Sequence, residues 1–202
     1  MRKQLLAMLL MFIGSLTYAQ IQKGDVLVGG SLRLSTFEFN DNRNNNFSIS
    51  PRLGFLVSDR TSIGPVLGFE HIRSKQEAPG VSVNDRTNVF SFGAYMRNYR
   101  AITEKLYFFL ESSVVYGTGN RNFEFQGSSD KGDVSILEIR VAPRLSYFIS
   151  DNMAVDISLL NATFRDESTE DPTNNGANDD TSRFFLSGGL NSVGFGLSWF
   201  LR

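Results

Sequence analysis

An alternation of apolar and polar residues with a period of two, renewed about every ten residues and broken by polar stretches, constrains this chain most. Successive side chains of a strand point to opposite faces, so the pattern marks strands with one apolar face. Eight segments carry it, at about 24–39, 46–57, 61–71, 87–99, 105–117, 134–149, 153–165 and 184–201. In the second, Phe47, Ile49, Leu53, Phe55 and Val57 share a face; in the last, Val193, Phe195, Leu197, Trp199 and Leu201 do. The first segment changes phase near Thr36, where Phe37 and Phe39 fall on the other face. A bulge or the strand's exit from an apolar environment would each produce that shift.

The connections alternate in length. Ser58-Asp59-Arg60, Arg100 to Glu104 and Ser150-Asp151-Asn152 are short; about 40–45, 72–86, 118–133 and 166–183 are long and polar. Short turns at one end and long loops at the other are the habit of outer-membrane barrels, and an even strand count puts both termini at the short-turn end. Pro51, Pro65 and Pro143 fall inside strands, where each removes a ladder hydrogen bond, so bulges are expected beside them.

The first residues agree with export. Met1-Arg2-Lys3 precede an apolar run from Leu5 to Leu16, then Thr17-Tyr18-Ala19 and Gln20. A charged head, a short apolar stretch and small residues at a cleavage point describe a secretory signal peptide over 1–19, leaving one domain, 20–202. Gln20 is not cysteine, which argues against a lipoprotein, and the run is too short for a membrane-spanning helix. Hydrophobic residues make up only 41%, low for a helical membrane protein but ordinary for a barrel whose faces alternate. With no cysteine, disulfides and thiolate metal sites are excluded, and 21 acidic against 20 basic residues give no sign of a nucleic-acid partner.

An internal echo runs from Ile49 to Asp59 and again from Val141 to Asp151, with proline, arginine, leucine, serine and aspartate at matching places. A duplicated four-strand unit and shared demands on equivalent strands both account for it. On these segments and the closing strand, the chain resembles the small outer-membrane β-barrel domain of Gram-negative bacteria, in outline the eight-stranded OmpA/OmpX-type barrels. The resemblance covers essentially the whole mature chain. It implies an all-β, eight-stranded antiparallel up-and-down transmembrane β-barrel in the bacterial outer membrane, preceded by a cleaved signal peptide. It also implies that Phe195, Leu197, Trp199 and Leu201 serve as an assembly signal, read by the barrel-assembly machinery after delivery by periplasmic chaperones. Where the family's last strand usually ends on an aromatic, Leu201 stands here.

The inward faces are charged. Arg52, Arg97, Arg140 and Arg144 face the lumen with Glu70, Glu111, Glu138 and Asp156, and Arg33 is a possible fifth cation. An eight-stranded lumen is just wide enough for side chains to fill, so near-balance of charge reads as a paired network rather than a catalytic carboxylate or proton path. Counting back from Ser150-Asp151-Asn152 puts Arg144 opposite Ser158 and Ser146 opposite Asp156, so an Arg144–Asp156 diagonal pair is expected. His71, the single histidine, lies near Glu70 and Ser74, but residues 70 and 71 point to opposite faces, which argues against a nucleophile–base pair. Asp166, Glu167, Glu170, Asp171, Asp179 and Asp180 form an acidic final loop that fits no calcium motif. Phe55, Tyr99, Tyr107, Tyr147 and Trp199 near the short turns, and Phe37, Phe69, Tyr116, Phe164 and Phe184 near the long loops, read as two aromatic girdles.

The expected function is that of a non-enzymatic outer-membrane protein, supporting the envelope or binding at the surface through its loops, with outer-membrane lipid and lipopolysaccharide as neighbours. The alternatives are a porin-like channel for small solutes and a lipid-modifying enzyme. No catalytic residue, cofactor or metal is expected.

Overall fold

The computed structural model describes residues 21–39, 42–78, 81–126, 128–158, 160–171, 177–188 and 194–202. The expected signal peptide and Val193 lie outside them, as do the side chains of Phe37 and Phe39. The strands are β1 (Val26–Phe39), β2 (Asn42–Ser58), β3 (Thr61–Ala78), β4 (Val81–Ala101), β5 (Leu106–Phe125), β6 (Ser128–Phe148), β7 (Met153–Ser158), β8 (Leu160–Asp171), β9 (Ala177–Gly188) and β10 (Gly194–Leu201). Both β7 and β8 pair with β6, while β9 pairs with β8 and β10 with β7. Each couple therefore forms one stave, and the wall has eight. Every ladder is antiparallel between sequence neighbours, and β1 with β10 closes the ring from Val26↔Leu201 to Leu32↔Phe195.

Closure matters because lipid offers no hydrogen bonds to a free strand edge. The alternation then sorts the side chains. Leu32, Leu53, Phe92, Val114, Ile139 and Leu197 are among many large apolar residues left exposed on the outer wall. Intervening residues such as Arg52, Ser62, Arg97, Glu111, Ser146 and Ser198 are buried inside. The outer wall is apolar and the interior largely polar, the inverse of a soluble protein and the signature of a barrel solvated by lipid.

The strands run further than the apolar pattern. The expected loops at 40–45, 72–86, 118–133 and 166–183 are largely strand: pairing continues to Phe39↔Asn42, Ala78↔Val81, Phe125↔Ser128 and Asp171↔Ala177. Backbone pairing needs no apolar side chain. Cross-strand polar contacts take over there, with Arg121 and Asp85 2.7 Å apart and Asn84 donating to Glu124 at 2.6 Å. The acidic segment is likewise paired, Ser168 donating to Asp180 at 2.6 Å and Ser182 to Asp166 at 2.5 Å. The β1–β2 register is unbroken past Thr36, so the phase shift there is not a bulge.

The prolines sit where pairing is relaxed. Between β2 and β3, pairing passes from Ile49↔Phe69 to Arg52↔Val66 and then to Phe55↔Ile63 in constant register, skipping Pro51 and Pro65, so no bulge stands beside either proline. Opposite Pro143 the neighbouring stave is one residue longer: Val141 to Arg144 on β6 spans the interval from Ala162 to Ser158. That extra residue makes the expected bulge and reverses the inside–outside phase between β7 and β8.

Candidate functional site: a layered lumen

At the short-turn end the lumen is plugged by apolar side chains. Ile21, Leu27, Leu56, Tyr99, Phe109, Phe148 and Phe200 form one buried cluster. The Phe148 and Phe200 ring centroids are 5.2 Å apart, as are those of Tyr99 and Phe109. Two expected girdle residues belong here instead. Tyr99 is buried, and Tyr107 packs against the same cluster, its ring 5.4 Å from Phe148. Tyr99 is two residues from Arg97 and therefore shares its inward face. Phe55, Phe69, Tyr116, Tyr147, Phe164, Phe184 and Trp199 are exposed on the outer wall, as the girdles require.

Next to the plug lies a charged layer. Arg97 and Glu111 are partners across the β4–β5 ladder, with Nε 2.7 Å from the carboxylate. Arg52 Nη1 donates to the same Glu111 oxygen, and Arg144 Nη2 reaches the other at 3.1 Å. Arg97 Nη1 also donates to Asp156 and Ser198, each at 3.0 Å. Ser146 and Ser198 donate to Asp156 at 2.8 and 2.6 Å. The Arg97 guanidinium carbon stands 4.6 Å from the Phe109 ring centre, so the charge layer rests on the apolar plug.

The registers Arg144↔Ser158 and Ser146↔Asp156 are as expected, but the pair is not. Arg144 turns to Glu111, and Asp156 is taken by Arg97 and two serines. Ring geometry explains the change: a long side chain on β6 reaches β5 as readily as β7. The echoed residues Arg52 and Arg144 meet on one carboxylate.

Glu70, Glu138 and Arg140 form a second group toward the hairpins. Arg140 Nη2 is 2.6 Å from Glu138. Arg165, which sequence reading missed, lies 3.5 Å from Glu70, 3.9 Å from Glu138 and 3.1 Å from Glu167. The phase reversal opposite Pro143 hid it, although an outward Phe164 required an inward neighbour. Between the two groups lies a cavity of about 540 Å³, bordered by Arg52, Arg144 and Glu111 at one end and by Glu167 and Arg183 toward the hairpins. The lumen is thus a plugged cup rather than a filled core. Glu70 faces inward, accepting from Asn46 at 3.1 Å, whereas His71 Nδ1 meets Asn88 Oδ1 at 2.7 Å, so the two serve different neighbours.

A closed antiparallel barrel with an apolar outer wall, two aromatic girdles and a polar interior defines the outer-membrane β-barrel class. No family model matches the chain, and no curated protein does. Among solved structures it is similar to a major outer membrane protein of Thermus thermophilus (8% identity, TM-score 0.49, 88% of this chain and 99% of that one). It is also similar to Neisserial surface protein A (14%, 0.40, 87% and 94%) and to Ail, the attachment invasion locus protein of Yersinia pestis (13%, 0.38, 89% and 96%). The class assignment rests on the ladders and faces of the chain itself.

Proposed function

We propose that the protein is a non-enzymatic, non-conducting component of the bacterial outer membrane that supports the envelope and acts at its surface through the hairpin rim. The observation that carries this reading is the plug. Leu27, Phe109, Phe148 and Phe200 are each at most 2% exposed and fill the lumen where a solute path would have to pass. The rim supports a binding role, because the Arg121–Asp85 and Asn84–Glu124 contacts brace paired strands into a shaped surface. Outer-membrane lipid and lipopolysaccharide fit the wall. Above exposed Phe90 and Phe92, the same face of β4 carries Arg86 and Asn88, and a shallow recess there also takes in Asn120, Arg121, Asn122 and Lys131, with Asp133 its one acid. Phosphate-bearing headgroups suit that composition. Assembly by the barrel-assembly machinery accords with the β10 row of Phe195, Leu197, Trp199 and Leu201.

A small-solute channel is the second reading, favoured by the cavity above the charged layer. Single-channel recording of the refolded mature chain in planar bilayers separates the two. The expected result is no sustained conductance; steady ohmic openings in the wild type would replace the surface role with that of a pore.

A further inference from the structure

The lumen charges do not cancel. In the layer beside the plug, Arg52, Arg97 and Arg144 face only Glu111 and Asp156, and all five are at most 7% exposed. One buried positive charge is in excess. Toward the hairpins the same cavity is bordered by Arg33, Arg140, Arg165 and Arg183 against Glu70, Glu138 and Glu167, again one cation too many. Among the described residues, no further carboxylate forms an ion pair with the deep layer.

A second observation points to the same spot. The Nε atoms of Arg52 and Arg144 are buried and have no hydrogen-bond partner. Both residues border the cavity, together with the hydroxyls of Ser31, Ser113 and Ser158. Water can satisfy an N–H donor, but it brings no charge, and an uncompensated ion in a low-dielectric interior is strongly disfavoured. A small oxyanion answers both needs, since it carries the missing charge and accepts several guanidinium donors at once.

We propose that the cup binds a small oxyanion, a phosphate or carboxylate group, admitted from the hairpin end and seated over Arg52 and Arg144. This goes beyond the surface role and does not depend on whether the barrel conducts.

Calorimetric titration of inorganic phosphate into the refolded mature chain in lipid nanodiscs, at low ionic strength, tests it. One saturable site is expected. Ser31→Asp places a carboxylate where the Ser31 hydroxyl now accepts from Arg52 at 3.2 Å, so the chain supplies its own counter-charge. Phosphate affinity then falls at least tenfold while heat-modifiable gel migration, the mark of an intact barrel, persists. Arg144→Gln has the same effect, whereas Arg60→Gln, in the exposed turn between β2 and β3, binds as the wild type does. Should Ser31→Asp not fold, Ser113→Asp, a half-buried position across the ladder from Arg140, repeats the test on another stave. No saturable binding in the wild type, or undiminished binding in a folded serine-to-aspartate variant, overturns the proposal. Equal competition by chloride overturns its oxyanion chemistry.

Discussion

Glu111 holds Arg144 at 3.1 Å diagonally across the β5–β6 ladder, although Asp156 stands in the same diagonal relation to Arg144 across β6–β7. Both carboxylates are buried, but Glu111 serves three guanidinium groups and Asp156 one.

Double-mutant cycles should rank these contacts. Arg144→Ala and Glu111→Ala are expected to couple within the ~0.5–3 kcal/mol range of contacting residues. Arg144→Ala and Asp156→Ala should couple less. Glu111→Ala alone should cost about 3–5 kcal/mol, because it strands several buried cations. Urea unfolding in lipid vesicles measures all of these, and a larger coupling to Asp156 would contradict the geometry.

Adjacent residues on the closing strand should behave oppositely. Phe200 is 2% exposed within the plug, while Trp199 is 51% exposed on the outer wall. Phe200→Ala is expected to cost ~3–5 kcal/mol through the cavity it leaves. Trp199→Ala should cost less, since it leaves no internal void. Equal losses in the same unfolding assay would mean that the plug is not tightly packed.

Gly54 and Tyr95 form a steric pair. A β-carbon at Gly54 would come within 2.2 Å of the Tyr95 hydroxyl, which has no hydrogen-bond partner of its own. Gly54→Ala should destabilise by about 1–3 kcal/mol, the usual range for overpacking. Tyr95→Phe should be nearly neutral alone and should recover much of that loss in the double variant. Unfolding midpoints of the three proteins decide it, and absence of recovery would place the strain elsewhere.

Removing Trp199 to Arg202 deletes the pairing partners of Val26, Leu27 and Val28 on one side and of Met153 on the other. The truncated chain should fail to acquire heat-modifiable migration and should remain protease-sensitive. Migration like that of the full chain would show that ring closure does not need this end of β10.

The wall was legible in the sequence because lipid imposes a strict period of two, so exposed Leu53, Phe92 and Leu197 were readable by count. What lies past the lipid was not, since backbone pairing in Arg121 and Asp85 territory leaves no apolar trace. Arg165 was hidden because one extra residue opposite Pro143 reverses the phase, and every inward assignment beyond it inverts. Tyr99 was misplaced by weighing its chemistry above its spacing from Arg97. The Glu111 hub was out of reach for another reason: alternation says which residues enter the lumen, not which partner each will choose across it.

The ladder joining Val26 to Leu201 has a bearing on time as well as shape. Its partners are separated by almost the whole of the described sequence, so the first stave to leave the ribosome must wait for the last. Contacts this distant in sequence form slowly. Until they form, two strand edges and a row of greasy side chains face water, a condition that invites aggregation. A chain that seals itself only when complete therefore needs safe keeping throughout its passage to the membrane.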